Sequence, residues 1–222
     1  MTTPAPVVAV DGPAGAGKST LARRLAEALG LPYVNTGSMY RALTLEALRR
    51  GVDLDDGPAL ASLTRRLRFS LLDRDGVPEL EIEGIPDREL AAPEVEAVVS
   101  RVARHPEVRA LMRAEQRRLG AEGAVMEGRD IGSAVFPEAA VKIFLEGAPQ
   151  ERAARRRRER ADERSARAVH ARDAQDAVVT PLVPAPDAVT IDTTDLSPDE
   201  VFARALAVVR ARLGRAGGGD GR

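Results

Sequence analysis

Near its start the chain carries the segment Val7-Val8-Ala9-Val10-Asp11-Gly12-Pro13-Ala14-Gly15-Ala16-Gly17-Lys18-Ser19-Thr20. Residues 7–10 form a short, mostly β-branched apolar run, which is typical of a buried parallel strand. Beyond the last glycine of the segment, Leu21, Leu25 and Leu29 recur on one face of a predicted helix that Gly30 ends. A strand, a glycine-rich loop and a helix in direct succession predict an α/β fold built on a parallel sheet.

The glycine-rich loop matches G-x-x-x-x-G-K-[ST], and its position between a strand and a helix predicts a phosphate-binding loop. Glycines let successive backbone N–H groups turn inward around phosphate oxygens, and the following helix adds the positive end of its dipole. We expect Lys18 to reach the β- and γ-phosphates as a point charge and the Ser19 hydroxyl to bind Mg²⁺. The residues predicted to bind the nucleotide are Gly12, Pro13, Ala14, Gly15, Ala16, Gly17, Lys18, Ser19 and Thr20.

Composition excludes several other classes of protein. The 33 basic and 34 acidic residues give a net charge of -1, which argues against a broadly basic nucleic-acid binder. With no cysteine and two histidines, thiolate zinc sites, disulfides and cysteine nucleophiles are excluded. The apolar runs fall far short of the roughly 20 residues that span a bilayer. We therefore expect a cytoplasmic protein with no membrane or nucleic-acid partner, in which Lys18 and Lys142 are the two lysines.

The middle of the chain interrupts the alternation of strands and helices. A second strand at residues 31–35 and a helix at 38–50 are followed by a helix near 60–67 and a hairpin around Asp75-Gly76. In the hairpin's second strand, residues 79–83, glutamates alternate with Leu80 and Ile82, which predicts a small sheet with one solvated face. Two more helices then run to Gly120. Residues 58–120 are therefore predicted to be an insert in the core.

Strand and helix patterns resume after the insert. Short apolar strands are predicted at residues 124–126, 141–145 and 188–191. Residues 151–176 are strongly charged, and the run of arginines from 152 to 167 is typical of a solvated helix with glutamate partners. A capping box at residues 197–200 predicts a last helix through Leu213, followed by a disordered glycine-rich tail at 214–222.

Polar clusters follow the predicted strands, where open α/β sheets bind their ligands. The first covers residues 35–41 and includes Arg41, the second covers residues 127–132 and includes Arg129, and a third lies in the charged segment at 172–176. Arginine matches the geometry of a phosphate group with two parallel hydrogen bonds. These arginines are therefore candidates for binding a second, acceptor phosphate.

Several of these motifs together resemble the bacterial cytidylate kinases, from about residue 7 to 213. The resemblance rests on the phosphate-binding loop and on Thr36-Gly37-Ser38-Met39-Tyr40-Arg41, Pro106-Glu107-Val108-Arg109, Glu127-Gly128-Arg129-Asp130-Ile131-Gly132, Val135-Phe136-Pro137 and Val141-Lys142-Ile143-Phe144-Leu145. It implies a P-loop core at residues 1–57, 121–150 and 181–213. It also implies an acceptor-binding insert at 58–120 and a short arginine-rich lid at 151–180.

The resemblance also implies a reaction, the phosphorylation of CMP and dCMP by ATP with Mg²⁺, in a monomer. The acceptor phosphate is already ionised, so positioning and charge stabilisation carry the catalysis. The residues implied to be catalytic are Lys18, Arg41, Arg129 and Arg172. Those implied to bind the acceptor nucleotide are Thr36, Arg41, Ser100, Arg109, Arg129, Asp130 and Asp176.

The lid departs from the family pattern. The family motif Arg-Asp-x-x-Asp usually continues through a serine and a further arginine, whereas here Asp176 runs into Ala177-Val178-Val179-Thr180-Pro181-Leu182. The lid is therefore expected to be short and to lack the second arginine of the motif.

Other functions fit the phosphate-binding loop as well. The alternatives are a small P-loop kinase with UMP, AMP or shikimate as acceptor, and a nucleotide-dependent protein that binds RNA through its arginine-rich stretch. A GTPase is disfavoured because the sequence has no Asn-Lys-x-Asp motif to read guanine.

Overall fold

The fold is organised around one seven-stranded sheet. A computed structural model describes residues 5–160 and 182–216. Its strands are β1 Val7–Asp11, β2 Tyr33–Asn35, β3 Phe69–Arg74, β4 Val77–Ile82, β5 Ala124–Gly128, β6 Val141–Glu146 and β7 Val189–Asp192. They lie in the order β3-β4-β2-β5-β1-β6-β7, and every neighbouring pair is parallel except β3 with β4. The predicted α/β class is confirmed.

Helices cover both faces of this sheet. They are α1 Lys18–Leu29, α2 Thr36–Arg49, α3 Gly57–Thr64, α4 Asp87–Leu90, α5 Pro93–Ala103, α6 Pro106–Leu119, α7 Pro149–Arg160 and α8 Pro198–Ala216, with a π-helical turn at Ile131–Val135. The described helices α1 and α8 bury their apolar side chains on one face, and α2, α3, α5 and α6 bury theirs on the other. Within the described ranges 5–160 and 182–216, none of the helices is long and apolar enough to cross a membrane.

Side-chain caps fix where several helices begin. Asn35 ends β2 and accepts a hydrogen bond from the Ser38 backbone N–H at 3.1 Å, so α2 starts directly at the sheet edge. The predicted capping box is confirmed, because Glu200 N–H donates to Ser197 Oγ at 3.3 Å and Ser197 N–H donates to Glu200 Oε2 at 2.8 Å. The short connection at Asn35 places the start of α2 beside the ends of β1 and β5.

The hairpin differs from its prediction. Strand β4 pairs with β2 through Tyr33 and Glu79, so β3 and β4 extend the main sheet and do not form a small sheet of their own. The prediction of a solvated glutamate face is also wrong at Glu79, which is buried and pairs with Arg23 of α1. The difference arises because Arg23, which is distant from Glu79 in sequence, covers it in the fold. The alternation of polar and apolar residues cannot reveal such a partner.

The C-terminal helix is longer than its pattern indicates. It continues through Gly214 to Ala216, which corrects the expectation that the helix ends at Leu213 and a disordered tail begins at 214. The rest of that tail lies outside the described residues, as do Arg172 and Asp176 of the predicted lid.

Candidate active site

A cleft of about 670 Å³ opens where the parallel strands end. Its walls come from the loop between β1 and α1, the start of α2, the end of β5, and the helices α5 and α6. The carboxyl ends of parallel strands meet at one edge of the sheet, and this edge is where α/β folds bind ligands.

The phosphate-binding loop packs closely against the backbone of β6 and α7. Gly12 has φ +147°, and a Cβ at this position would lie 2.2 Å from the Leu145 carbonyl oxygen of β6. Gly15 has φ +74°, and a Cβ there would lie 2.7 Å from the Arg152 carbonyl oxygen of α7. Both positions combine positive φ with a backbone neighbour, so a side chain at either would strain the loop.

Arg152 attaches helix α7 to the same loop. Its guanidinium donates to the Ala14 carbonyl at 2.8 Å and to the Gly147 carbonyl at 3.0 Å, and only 6% of the residue is exposed. The expectation of a solvated arginine helix is therefore wrong at this position. One turn later, Arg155 donates to Thr193 Oγ1 at 2.9 Å, which ties α7 to the end of β7.

Ser19, next to the lysine of the loop, contacts a buried carboxylate. The Lys18 ammonium donates to the Pro13 carbonyl at 2.8 Å, across its own loop. Ser19 Oγ donates to Glu127 Oε2 at 3.0 Å, and the Tyr33 hydroxyl donates to Glu127 Oε1 at 2.5 Å. Burial and the neighbouring carboxylate hold the pKa of Tyr33 well above its usual range, so this hydroxyl keeps its proton and remains a donor.

Asp11 and Arg129 connect the end of β1 to the turn after β5. The Asp11 carboxylate accepts from the backbone N–H groups of Ile131 at 2.9 Å and Gly132 at 2.8 Å. Arg129 donates to the Gly12 carbonyl at 2.7 Å. Burial raises the pKa of Asp11 to about 6, although both backbone hydrogen bonds act to lower it.

The opposite side of the cleft combines donors and acceptors. Arg41 donates to Ser38 Oγ at 2.9 Å, and Thr36 Oγ1 donates to the Glu127 carbonyl at 2.7 Å. Arg109 of α6 pairs with Asp130 at 2.7 Å, and both side chains are about one-fifth exposed. Ser100 of α5 also lines the cleft, although the residue is buried overall.

Most of the predicted site residues share this cleft. Those that line it are Ala14, Gly15, Gly17, Lys18, Ser19, Thr20, Thr36, Arg41, Ser100, Arg109, Arg129 and Asp130. Gly12, Pro13 and Ala16 belong to the same loop but are not among the lining residues. Arg172 and Asp176 lie outside the described residues.

Four residues of the site carried no predicted role. Glu127 follows a strand and lies in a polar cluster, so its position was a usable signal. Tyr33 and Asp11 have no distinguishing local pattern, since Tyr33 lies within a predicted strand and Asp11 reads as the end of one. Arg152 is one of several arginines in a row, and only the packing of α7 on the phosphate-binding loop sets it apart.

The fold and the site together define a class of protein. A strand, a phosphate-binding loop and a helix, with arginines facing the loop across one cleft, characterise a P-loop phosphotransferase. A structure from Thermus thermophilus shares the fold, with a TM-score of 0.50 at 20% identity over 95% of this chain and 99% of its own.

Sequence comparison identifies the family within that class. The model of the family "Cytidylate kinase" matches residues 8–211. The cytidylate kinase of Geobacillus kaustophilus (strain HTA426) is 44% identical over 93% of this chain and 97% of its own length. That of Rhodococcus jostii (strain RHA1) is 43% identical over 96% of this chain and 99% of its own length. The chain belongs to the cytidylate kinase family.

Proposed function

We propose that this chain transfers the γ-phosphoryl group of ATP to the phosphate of CMP or dCMP. The proposal rests on one observation: the phosphate-binding loop and the Arg109–Asp130 pair line the same cleft. The loop suits a nucleoside triphosphate, and the side with the Arg109–Asp130 pair suits a second nucleotide. The alternative acceptors and the RNA-binding alternative find no support among these relatives, which are named cytidylate kinases.

The Arg109–Asp130 pair has the polarity that cytosine requires. The edge of cytosine presents an amino donor beside acceptor atoms, and Asp130 accepts while Arg109 donates. Uracil carries an oxygen in place of the amino group and a proton on N3, so an acceptor would face the Asp130 carboxylate and a donor would face Arg109. A site built to hydrogen-bond one group rejects the analogue that lacks it, because the buried partner is left unpaired.

The phosphoryl transfer itself requires positioning and positive charge. An oxygen of the acceptor phosphate is the nucleophile, and it is already ionised, so no general base is needed. Lys18 is suited to the β- and γ-phosphates, and Arg41 and Arg129 to the acceptor phosphate and the group in flight. Arg172, in the lid, remains a predicted fourth cation. Excluding water from the closed cleft would suppress hydrolysis of ATP.

The donor set beside Lys18 fits Mg²⁺. Ser19 Oγ and Glu127 Oε2 lie 3.0 Å apart at the cleft, and both are the hard oxygen ligands that Mg²⁺ prefers. No group of three or more His, Cys, Asp or Glu side chains suited to a metal occurs in the part of the chain that the structure describes. A magnesium ion bound there with ATP would neutralise charge on the phosphates.

A melting-temperature comparison tests the acceptor assignment without relying on turnover. CMP at saturating concentration is expected to raise the melting temperature more than UMP or AMP does. Asp130→Asn supplies an amide that can donate to uracil, so this variant is expected to lose much of its preference for CMP over UMP. Equal shifts for CMP and UMP in the wild-type protein would refute the proposed base recognition.

Two further expectations concern assembly and location. The monomeric state stays a prediction. The cytoplasmic location stays a prediction.

A further inference from the structure

Asp11 is a buried acidic residue to which the proposed mechanism gives no role. It is the last residue of β1, it is 7% exposed, and Gly12 of the phosphate-binding loop follows it directly. Its carboxylate is nonetheless fully engaged, since Oδ1 accepts from the Ile131 N–H and Oδ2 from the Gly132 N–H. An unpaired carboxylate in such a place would be strongly destabilising, so these two bonds are what makes the position tolerable.

The two N–H groups belong to the turn that carries the acceptor residues. Ile131 and Gly132 follow Arg129 and Asp130 directly, and they begin the π-helical turn. The other end of this four-residue segment is held as well, because Arg129 donates to the Gly12 carbonyl at 2.7 Å. The dipeptide Asp11-Gly12 therefore contacts both ends of the segment from Arg129 to Gly132.

Close packing leaves the segment little freedom around these bonds. A Cβ at Gly132 would lie 3.1 Å from the aliphatic carbons of Lys142 and 3.4 Å from Asp11 Oδ2. The Lys142 ammonium is directed away from the cleft, to Asp187 at 2.8 Å and to the Pro137 carbonyl at 2.6 Å. The charged group that fixes the backbone of the turn is therefore the Asp11 carboxylate.

We propose that Asp11 is a positioning residue for the acceptor nucleotide. Before the acceptor binds, Asp11 already holds the segment from Arg129 to Gly132 in the conformation that binds it. This inference rests on the proposed function, because it assigns the acceptor to Arg129 and Asp130. A displacement of about 1 Å in a positioned group can lower the rate about a hundredfold. Asp11 thus acts on turnover through Arg129 and Asp130 without touching the substrate.

Asp11→Asn is the informative variant because it preserves the shape of the side chain. The amide retains one oxygen for one N–H, but its NH₂ group faces the other N–H, so two donors meet. We expect kcat/KM for CMP to fall at least about thirtyfold, and the KM for ATP to change less than about threefold. The loop keeps its own supports at Leu145 and α7, so ATP affinity should be preserved.

Asp56→Asn is the matched control. Asp56 also accepts from a backbone N–H, that of Ala59 at 2.9 Å, but it begins α3 away from the cleft. Asparagine caps helices as well as aspartate does, so this variant should keep both kinetic constants. Equal losses toward ATP and CMP in Asp11→Asn, or no loss at all, would overturn the inference. Wild-type protein that fails to phosphorylate CMP would instead overturn the proposed function.

Hydrogen exchange of the wild-type protein provides a test that does not depend on a variant folding. If the segment is held in advance, the amides of Ile131 and Gly132 must be protected in the absence of CMP. Protection that is present without CMP supports the inference. Exchange of both amides at the rate of an unstructured chain, slowed only when CMP is added, would refute it.

Discussion

Replacing Arg152 tests whether helix α7 holds the phosphate-binding loop. Arg152→Met keeps the unbranched apolar stem of the side chain but removes the donors to the carbonyls of Ala14 and Gly147. A hydrogen bond from a charged donor contributes roughly 1.5–3 kcal/mol, and the relief from burying a guanidinium offsets part of the loss. We expect the free energy of unfolding to fall by about 2 kcal/mol, which lowers the melting temperature by roughly 4–8 °C.

Nucleotide affinity should fall in parallel, because the Ala14 carbonyl belongs to the loop that surrounds the phosphates. A disturbance worth about 1.4 kcal/mol raises the Kd for MgADP about tenfold. Calorimetric titration with MgADP measures this Kd, and a thermal melt of the same samples measures stability.

Arg50→Met is the control for this experiment. Arg50 follows α2 directly and pairs with Glu46 at 2.8 Å, and the Arg50 side chain is 50% exposed. A surface pair of this kind contributes about 0–1 kcal/mol, so the control should melt close to the wild-type protein and bind MgADP normally. The reasoning is refuted if Arg152→Met matches the control in both measurements.

Three further predictions concern the same cleft. Because burial raises the pKa of Asp11 from 3.8 to about 6, the folded protein binds this proton more tightly than the unfolded chain does. The resulting stabilisation, about 3 kcal/mol, is present below pH 4 and lost as the pH rises through 6. In urea titrations from pH 4 to 7, the free energy of unfolding of the wild-type protein should fall by about this amount relative to that of Asp11→Asn. A difference between the two proteins that stays constant over this range would contradict the prediction. Gly15→Ala introduces a Cβ 2.7 Å from the Arg152 carbonyl oxygen and should weaken MgADP binding at least about tenfold. Gly76→Ala has a similar positive φ in open space and should leave binding unchanged, so equal effects of the two variants would contradict the close packing. Arg129→Ala should lower kcat/KM for CMP about a thousandfold or more with an unchanged circular dichroism spectrum, and near-normal turnover would show that Arg129 is misassigned.

Local sequence patterns predicted the elements of the fold well where each strand or helix has its own signal. The apolar run at residues 7–10, the glycine loop and the leucine spacing of α1 each point to one structure. Their order then determines a parallel sheet, because a strand–helix–strand connection returns in the same direction. The capping box at Ser197 located the start of α8 for the same reason.

Features that depend on contacts distant in sequence could not be predicted in this way. The alternation around Glu79 predicts a solvated face, but Arg23 from α1 covers that residue in the folded chain. Arg152 cannot be told from its neighbours in a run of arginines until α7 packs against Gly15. Asp11 shows no pattern beyond the end of a strand, and its partners lie about 120 residues later.

The site residues were predicted from two sources, the loop motif and the family resemblance. Lys18 and Ser19 follow from the loop motif and its physical chemistry alone. Ser100 and Arg109 lie on α5 and α6 and were assigned through the family resemblance, and the structure brings both to the cleft that holds the loop.

Base recognition in the cleft is tested most directly by the release of ADP from ATP and Mg²⁺ with CMP, dCMP, UMP or AMP as acceptor, at matched concentrations. We predict that kcat/KM for CMP and dCMP exceeds that for UMP and AMP by at least about a hundredfold, because the proposed role of Asp130 is to accept from the cytosine amino group. Turnover of UMP or AMP equal to that of CMP would show that the cleft does not select a cytosine nucleotide.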